Sequence, residues 1–272
     1  VWSERIPKSL KEDSRKAKFY NQFLHKCDVL QCTWFSTLNL LKEQGFTNTE
    51  MLRWGMVEEK FADLTDYSPN QFTQNFVSQL PSDDYKFFFP KSVSGGNRHD
   101  LIIDACVALK EKGIENYKVY FWLGNFNLEE KIEDYRKKIE ANGLTNNIEF
   151  VRHEFVNHKD VQHIWRQMDC GLQILDADQL STSFQEPQLY QKEIIASNIP
   201  SYQLFQQHFE VKLDLILNNS GELAKRMEGL ITGKYSTNEV EKAKRRNVLL
   251  EHYRFNSNMV KILDFFTDFQ RS

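Results

Sequence analysis

Two stretches of the chain gather side chains that could hold a polar, charged ligand. In "FFFPKSVSGGNRHDLIIDA" (87–105), an apolar run gives way to a loop and then to a helix that starts near Arg98. Lys91, Ser92, Gly95, Gly96 and Arg98 fall in that loop, where two cations, two glycines and helix N–H groups would favour a phosphate or diphosphate. A Gly-Gly pair is also an ordinary turn, and the stretch is neither a G-x-G-x-x-G fingerprint nor a Walker loop. In "QEPQLYQKEIIASNIPSY" (185–202), Gln185 and Glu186 stand at the expected start of a helix and Glu193 near its middle. Carboxylates so placed can accept hydrogen bonds from a ligand's hydroxyl groups, or can simply be solvated on a helix face. A third stretch, "VRHEFVNHKDVQHIW" (151–165), carries His153, Glu154, His158 and His163. Their spacing fits neither H-E-x-x-H nor a zinc site, so no metal is expected. His153 follows a strand's carboxyl end and His99 adjoins the phosphate-type loop, so either could donate a proton or a hydrogen bond. With no G-x-S-x-G elbow, a serine hydrolase is disfavoured.

Helical and strand patterns alternate around these stretches. Helices are expected at 9–26, 35–45, 98–113, 128–143, 160–168, 187–198 and 220–233, the last opening at a capped Ser220. Strands are expected at 27–32, 50–56, 85–90, 117–124, 147–152, 170–175, 200–205 and 212–218. Residues 57–84 read as a linker with one helix near 70–80, and two polar helices, about 236–253 and 257–270, finish the chain. Strands separated by helical crossovers imply an α/β protein with a doubly wound parallel sheet. In such sheets ligands sit beyond the carboxyl ends of the strands, here after Pro90, Gly124, Arg152, Leu175 and Phe205.

Composition narrows the class. A net charge of −3 and a pI near 6.2 argue against a dedicated nucleic-acid binder. Cys27, Cys32, Cys106 and Cys170 form no C-x-x-C pair and read as free thiols of a reducing, cytoplasmic setting. No stretch approaches the ~20 apolar residues of a membrane span. Residues 1–26 carry seven Lys/Arg against three Asp/Glu, a solvated face or a weak attraction to an anionic membrane surface. The chain begins with Val1, which suits a fragment or a processed piece of a longer protein.

The order of segments over about residues 25–270 resembles the donor-binding half of B-type glycosyltransferases, particularly the retaining family 4 enzymes. "CDVLQCTWFSTLNLLKEQGF" with "MLRWGMVEEKF" looks like the last β-α-β unit of that family's acceptor domain and the crossing into its donor domain. "PKSVSGGNRHDLIIDACVAL" resembles its diphosphate loop and helix, "YKVYFWLG" its glycine-ended strand, and "NIEFVR" the strand that approaches the nucleobase. The stretch 185–202 answers to its E-x7-E element, with Gln185 at the first acid's position and Glu193 at the second's. The resemblance implies a Rossmann-like B-type fold with an incomplete or shortened first domain. It implies residues 1–62 as the end of the acceptor domain, 63–233 as the donor domain, and 234–272 as helices packing back across both.

The implied reaction transfers a hexose, with retention, from a nucleoside-diphosphate sugar to a glycan, lipid-linked or protein acceptor, without a metal. The implied catalytic positions are Glu186 and Gln185, beside the donor sugar. Lys91, Ser92, Gly95, Gly96 and Arg98 would bind diphosphate, Gly124, Arg152 and His153 would line the nucleotide site, and Glu193 would hold ribose. Gln185 in place of an acid, "EPQ" in place of the family's Gly-Phe-Gly, and the long loop 176–184 depart from the pattern. These departures suit an alternative, a catalytically silent domain of the same fold used for binding or assembly. A sugar-nucleotide epimerase is a third reading of the same two-domain outline.

Overall fold

The structure is a computed structural model that describes residues 15–123, 127–152 and 156–271, without the side chains of residues 16, 270 and 271. Its centre is a parallel sheet with short strands of three to seven residues. These strands are β3 (Tyr85–Phe89), β4 (Tyr117–Leu123), β5 (Ile148–Arg152), β6 (Cys170–Gln173), β7 (Glu193–Ser197) and β8 (Asp214–Ile216). They lie in the order β5-β4-β3-β6-β7-β8, every neighbouring pair parallel. Phe87, Phe88 and Phe89 are all buried because both faces of β3 are covered by helices. One face packs on α4 (His99–Glu111) and α9 (Ser220–Ile231). The other packs on α3 (Gln71–Ser78) and α6 (His158–Gln167). Helix α5 (Glu129–Ala141) connects β4 to β5. Chain order reverses between β3 and β6, and such a switch opens a crevice at the strands' carboxyl ends.

Before this sheet stand α1 (Arg15–Leu24) and a β-α-β unit of β1 (Leu30–Cys32), α2 (Phe35–Glu43) and β2 (Thr49–Met51). The two strands are parallel and shorter than expected. Trp34, fully buried at the start of α2, donates its Nε1–H to the Ser201 carbonyl at 3.0 Å and so ties the unit to the main sheet's layers. Helices α10 (Glu239–His252) and α11 (Phe255–Arg271) close the chain. Helix α9 is capped by Asn219, whose side chain accepts from the Glu222 N–H at 3.0 Å, one residue earlier than the expected Ser220.

The order expected after β6 is overturned. In place of a helix over 187–198 and a strand over 200–205, the chain forms α7 (Thr182–Leu189), then β7, then α8 (Pro200–Phe209). "EIIAS" is buried at all five positions and pairs on both sides, which rewards a strand more than a helix. Pro200 sits in the first turn of α8, where its missing N–H costs nothing. Pro187 lies inside α7, and the Ser183 carbonyl it cannot serve accepts instead from Gln173 Nε2 at 2.7 Å.

Candidate functional site

Beyond the carboxyl ends of β3 and β6, the chain surrounds a hollow of about 580 Å³. Lys91 and Ser92 enter it directly from β3, and Asn97 closes the same loop by donating Nδ2–H to the Ser92 carbonyl at 2.7 Å. The Lys91 ammonium donates to Ser181 Oγ at 2.8 Å and lies 3.7 Å from Asp178 Oδ1. Asp178 in turn holds the start of α7, its Oδ2 accepting from Ser181 N–H (2.9 Å), Ser181 Oγ (2.9 Å) and the Tyr202 hydroxyl (2.8 Å). Ser181, Thr182 and Ser183 therefore present the first turn of α7 to the hollow beside a cation. Hydroxyls, helix N–H groups and an ammonium together favour an anion.

On the opposite wall is Glu186, 4% exposed, whose Oε1 pairs with the Lys60 ammonium and whose Oε2 accepts from Trp165 Nε1 at 3.0 Å. Lys60 arrives from a short 3-10 turn, Glu58–Phe61, and its carbonyl accepts from the Tyr190 hydroxyl at 3.1 Å. His158 also lines the hollow, and burial, followed by the neighbouring Lys60 charge, holds its imidazole below the ordinary range. The hollow thus has a wall of hydroxyls and an ammonium and a carboxylate wall, with Phe88 and Trp122 adding apolar lining.

Of the expected site residues, the hollow gathers Lys91, Ser92 and Glu186. Glu193 lies elsewhere: as the first residue of β7 it stands at the amino-terminal edge of the sheet. There it accepts from Thr237 N–H (3.0 Å) and Oγ1–H (2.7 Å) and pairs with Lys242 at 3.0 Å. The misplaced helix boundary is the reason. Gln185 also turns away, donating Nε2–H to the Leu180 carbonyl from a buried position. Arg98 is held by Asp100 at 2.8 Å and Asp176 at 3.2 Å, and the Asp100 hydrogen bonds, ahead of all else, raise its pKa. Its charge is neutralised outside the hollow. Gly95 faces open solvent and Gly96 is buried, its carbonyl accepting from Asp176 N–H at 3.0 Å; neither lines the hollow or adopts a positive φ. Arg152 pairs with the exposed Glu129 at the end of β5. Gly124 and His153 lie outside the described residues. His99 is a core residue, packed on Phe89 and Phe121 with centroids 4.7 and 4.9 Å away. Among the described residues no group of three or more His, Cys, Asp or Glu could hold a metal ion.

Lys60, Asp178 and the run Ser181–Ser183 were not anticipated. Lys60 is 126 residues from its partner in a stretch that reads as linker, so no local signal marks it. Asp178 had one: it precedes Glu186 by eight residues, the spacing assigned above to Gln185 and Glu193.

No family model matches the sequence, and no curated protein matches it in sequence either. Solved structures do match in shape. Anabaena HepE in complex with UDP-glucose superposes with a TM-score of 0.79 at 12% identity, over 98% of this chain and 71% of that one. Sucrose-phosphate synthase from Thermosynechococcus elongatus gives 0.72 at 13% identity, over 97% and 64%. WaaG, a glycosyltransferase involved in lipopolysaccharide biosynthesis, gives 0.68 at 14% identity, over 93% and 68%. The chain therefore has the Rossmann-like fold of B-type glycosyltransferases and spans about two thirds of the length of these neighbours.

Proposed function

We propose that the chain is a nucleotide-sugar-dependent glycosyltransferase, or the larger part of one, with its donor in the hollow between Lys91 and Glu186. The observation that carries this reading is the pairing of an anion-binding wall with a buried carboxylate at the β3/β6 switch. Lys91 and the first turn of α7 would hold the diphosphate and stabilise it as it departs, an electrostatic role. Glu186 takes over the ribose-holding role first given to Glu193, and Asp178 the position of the first acid. This register restores the E-x7-E spacing with acids at both ends. The HepE complexes with UDP and UDP-glucose support a nucleoside-diphosphate donor. A hexose, retention of configuration, no metal, and a glycan, lipid-linked or protein acceptor complete the proposal, as does a cytoplasmic location. The division at residues 62 and 233 stands with it. No helix among the described residues is long and apolar enough to cross a membrane.

The silent-domain reading keeps one specific support: Lys91 and Glu186 already have partners, in Ser181 and Lys60. Calorimetry with UDP and GDP separates the two. The enzyme reading expects heat with one nucleotide, and about tenfold weaker binding in Lys91→Ala or Glu186→Gln, the usual loss for one charge-assisted hydrogen bond. Absence of heat with both nucleotides would leave the silent domain.

A further inference from the structure

A second polar hollow lies on the front unit, at its own strand ends. Arg53 follows β2 by two residues and Trp34 follows β1 by two, so both stand beyond the carboxyl ends of parallel strands. The Arg53 guanidinium carbon sits 5.2 Å from the ring centroid of Trp34, 5.6 Å from Phe35, and 5.5 Å from both Phe209 and Tyr253. Aromatic faces attract the cation but offer its N–H groups no oxygen acceptor. No described carboxylate pairs with Arg53, and its buried Nε has no hydrogen-bond partner. Beside it opens a hollow of about 200 Å³, lined also by His252, Asn258 and Lys261.

The charged and titratable side chains that line this hollow are all basic. Lys261 comes from α11, His252 from the end of α10, and His208 from α8 stands over Phe35 at 4.7 Å. Burial first, and then repulsion by Arg53, keeps His208 below the ordinary imidazole range. His252 is lowered by burial too, with Arg53 and Lys261 repelling its proton against the attraction of Glu251. Among the described residues Glu251 is the one acid paired there, 3.5 Å from His252 Nε2, and its side chain is 74% exposed to solvent. Asn258 is buried and uses one Nδ2–H on the His252 carbonyl at 3.0 Å, which leaves a second donor. A guanidinium short of an acceptor, an ammonium, an imidazole and an amide thus line one small space.

We propose that this hollow binds a phosphate group, held by Arg53, Lys261 and Asn258, with His252 taking up a proton as the anion enters. Its volume is several times the ~30 Å³ share of one water and below the ~300 Å³ of a typical cofactor site, so it suits the phosphate of a small monoester or the free ion. The site is separate from the donor hollow, and its occupancy does not depend on the donor assignment. Arg53 is the anchoring contact, because its planar fork can meet two phosphate oxygens at once.

The test uses the full chain in a Lys91→Ala background, so that the donor hollow does not contribute the signal. Inorganic phosphate, methyl phosphate and acetate are titrated at pH 7.5, followed by calorimetry and by the ring protons of His252, assigned from a His252→Gln spectrum. Phosphate is expected to shift those resonances and raise the pH at which His252 titrates. Lys261→Gln, a change at an exposed position, is expected to weaken binding about tenfold. Methyl phosphate binding more tightly than the free ion identifies an ester as the ligand, and equal affinity identifies inorganic phosphate. Unmoved His252 resonances, unchanged affinity in Lys261→Gln, or acetate binding as tightly as phosphate would each overturn the proposal. Arg53→Lys adds a check on the fork, and if that variant fails to fold, Lys261→Gln still decides.

Discussion

Two buried ionisable residues, Glu193 and His99, serve the fold and lie outside the lining of the hollow. Glu193 carries a full set of partners at the sheet's amino-terminal edge, where Thr237 and Lys242 fasten the segment leading into α10. Removing one partner of such a buried pair leaves an uncompensated charge. Glu193→Ala should therefore lower stability by about 3 kcal/mol in urea unfolding while leaving UDP affinity unchanged by calorimetry. His99 is buried among aromatic rings beside the Lys91 loop, and burial holds its pKa at about 4. The unfolded chain takes up a proton near the ordinary value of about 6.5, whereas the folded chain resists it until about pH 4. The unfolded state thus binds more protons in that window, so stability is lost as pH falls from 6.5 to 4, by about 3 kcal/mol from this residue. In His99→Phe, which suits the surrounding rings, that part of the slope should vanish when unfolding is followed from pH 7 to pH 4.

Helix α7 carries most of the site, and a glycine beneath it sets where it lies. A Cβ on Gly171 of β6 would come within 2.8 Å of the Pro187 ring and 3.0 Å of Trp165, so α7 settles against β6 only because no side chain intervenes. Gly171→Ala should cost about 2 kcal/mol through overpacking and should also weaken UDP binding. The shift of α7 would carry Ser181–Ser183 and Glu186 with it, which urea unfolding and calorimetry can read together. The same element marks where sequence pattern fails. Strands β3 and β4 were legible because "FFF" and "VYFWL" are buried runs that end at loop residues. Around β7 Tyr190 and Ile194 stand four apart, a spacing that also suits a helix face, and over so short an apolar run periodicity alone cannot choose. The break that separates α7 from β7 falls at Gln191, whose φ of 57° would be signalled by glycine but is not signalled by glutamine. From that one boundary followed the wrong placement of Glu193 and the neglect of Asp178. Lys91 and Ser92 were legible because they follow β3 directly, whereas Lys60 belongs to the site only through tertiary folding.

At the scale of the whole molecule, residues 55–61 join three bodies of structure: the front β-α-β unit, the carboxyl-terminal helices and the Glu186 wall of the hollow. Met56 exchanges backbone hydrogen bonds with Tyr253 at 2.7 Å and Phe255 at 2.9 Å. Arg254 then reaches Glu58 at 3.6 Å and covers the Phe61 ring at 4.8 Å, and Lys60 between them pairs with Glu186. The segment can approach α10 this closely because Gly55 adopts a φ of +86°, and a Cβ there would meet the Tyr253 carbonyl oxygen at 2.5 Å. Gly45 offers a control at nearly the same φ, +85°, with nothing within 4 Å of its Cβ position. Gly45→Ala should cost only the left-handed strain of about 1 kcal/mol and leave UDP affinity alone. Gly55→Ala adds a backbone collision that α10 must yield to, so its cost should exceed that of Gly45→Ala by about 2 kcal/mol. Because Lys60 lies on the displaced segment, the same substitution should weaken UDP binding, although Gly55 touches no part of the hollow. Thermal unfolding and calorimetry on the two variants test this directly. Equal losses of stability, or unchanged UDP affinity in Gly55→Ala, would mean that the front unit and the Lys91–Glu186 hollow are joined in space but not in energy.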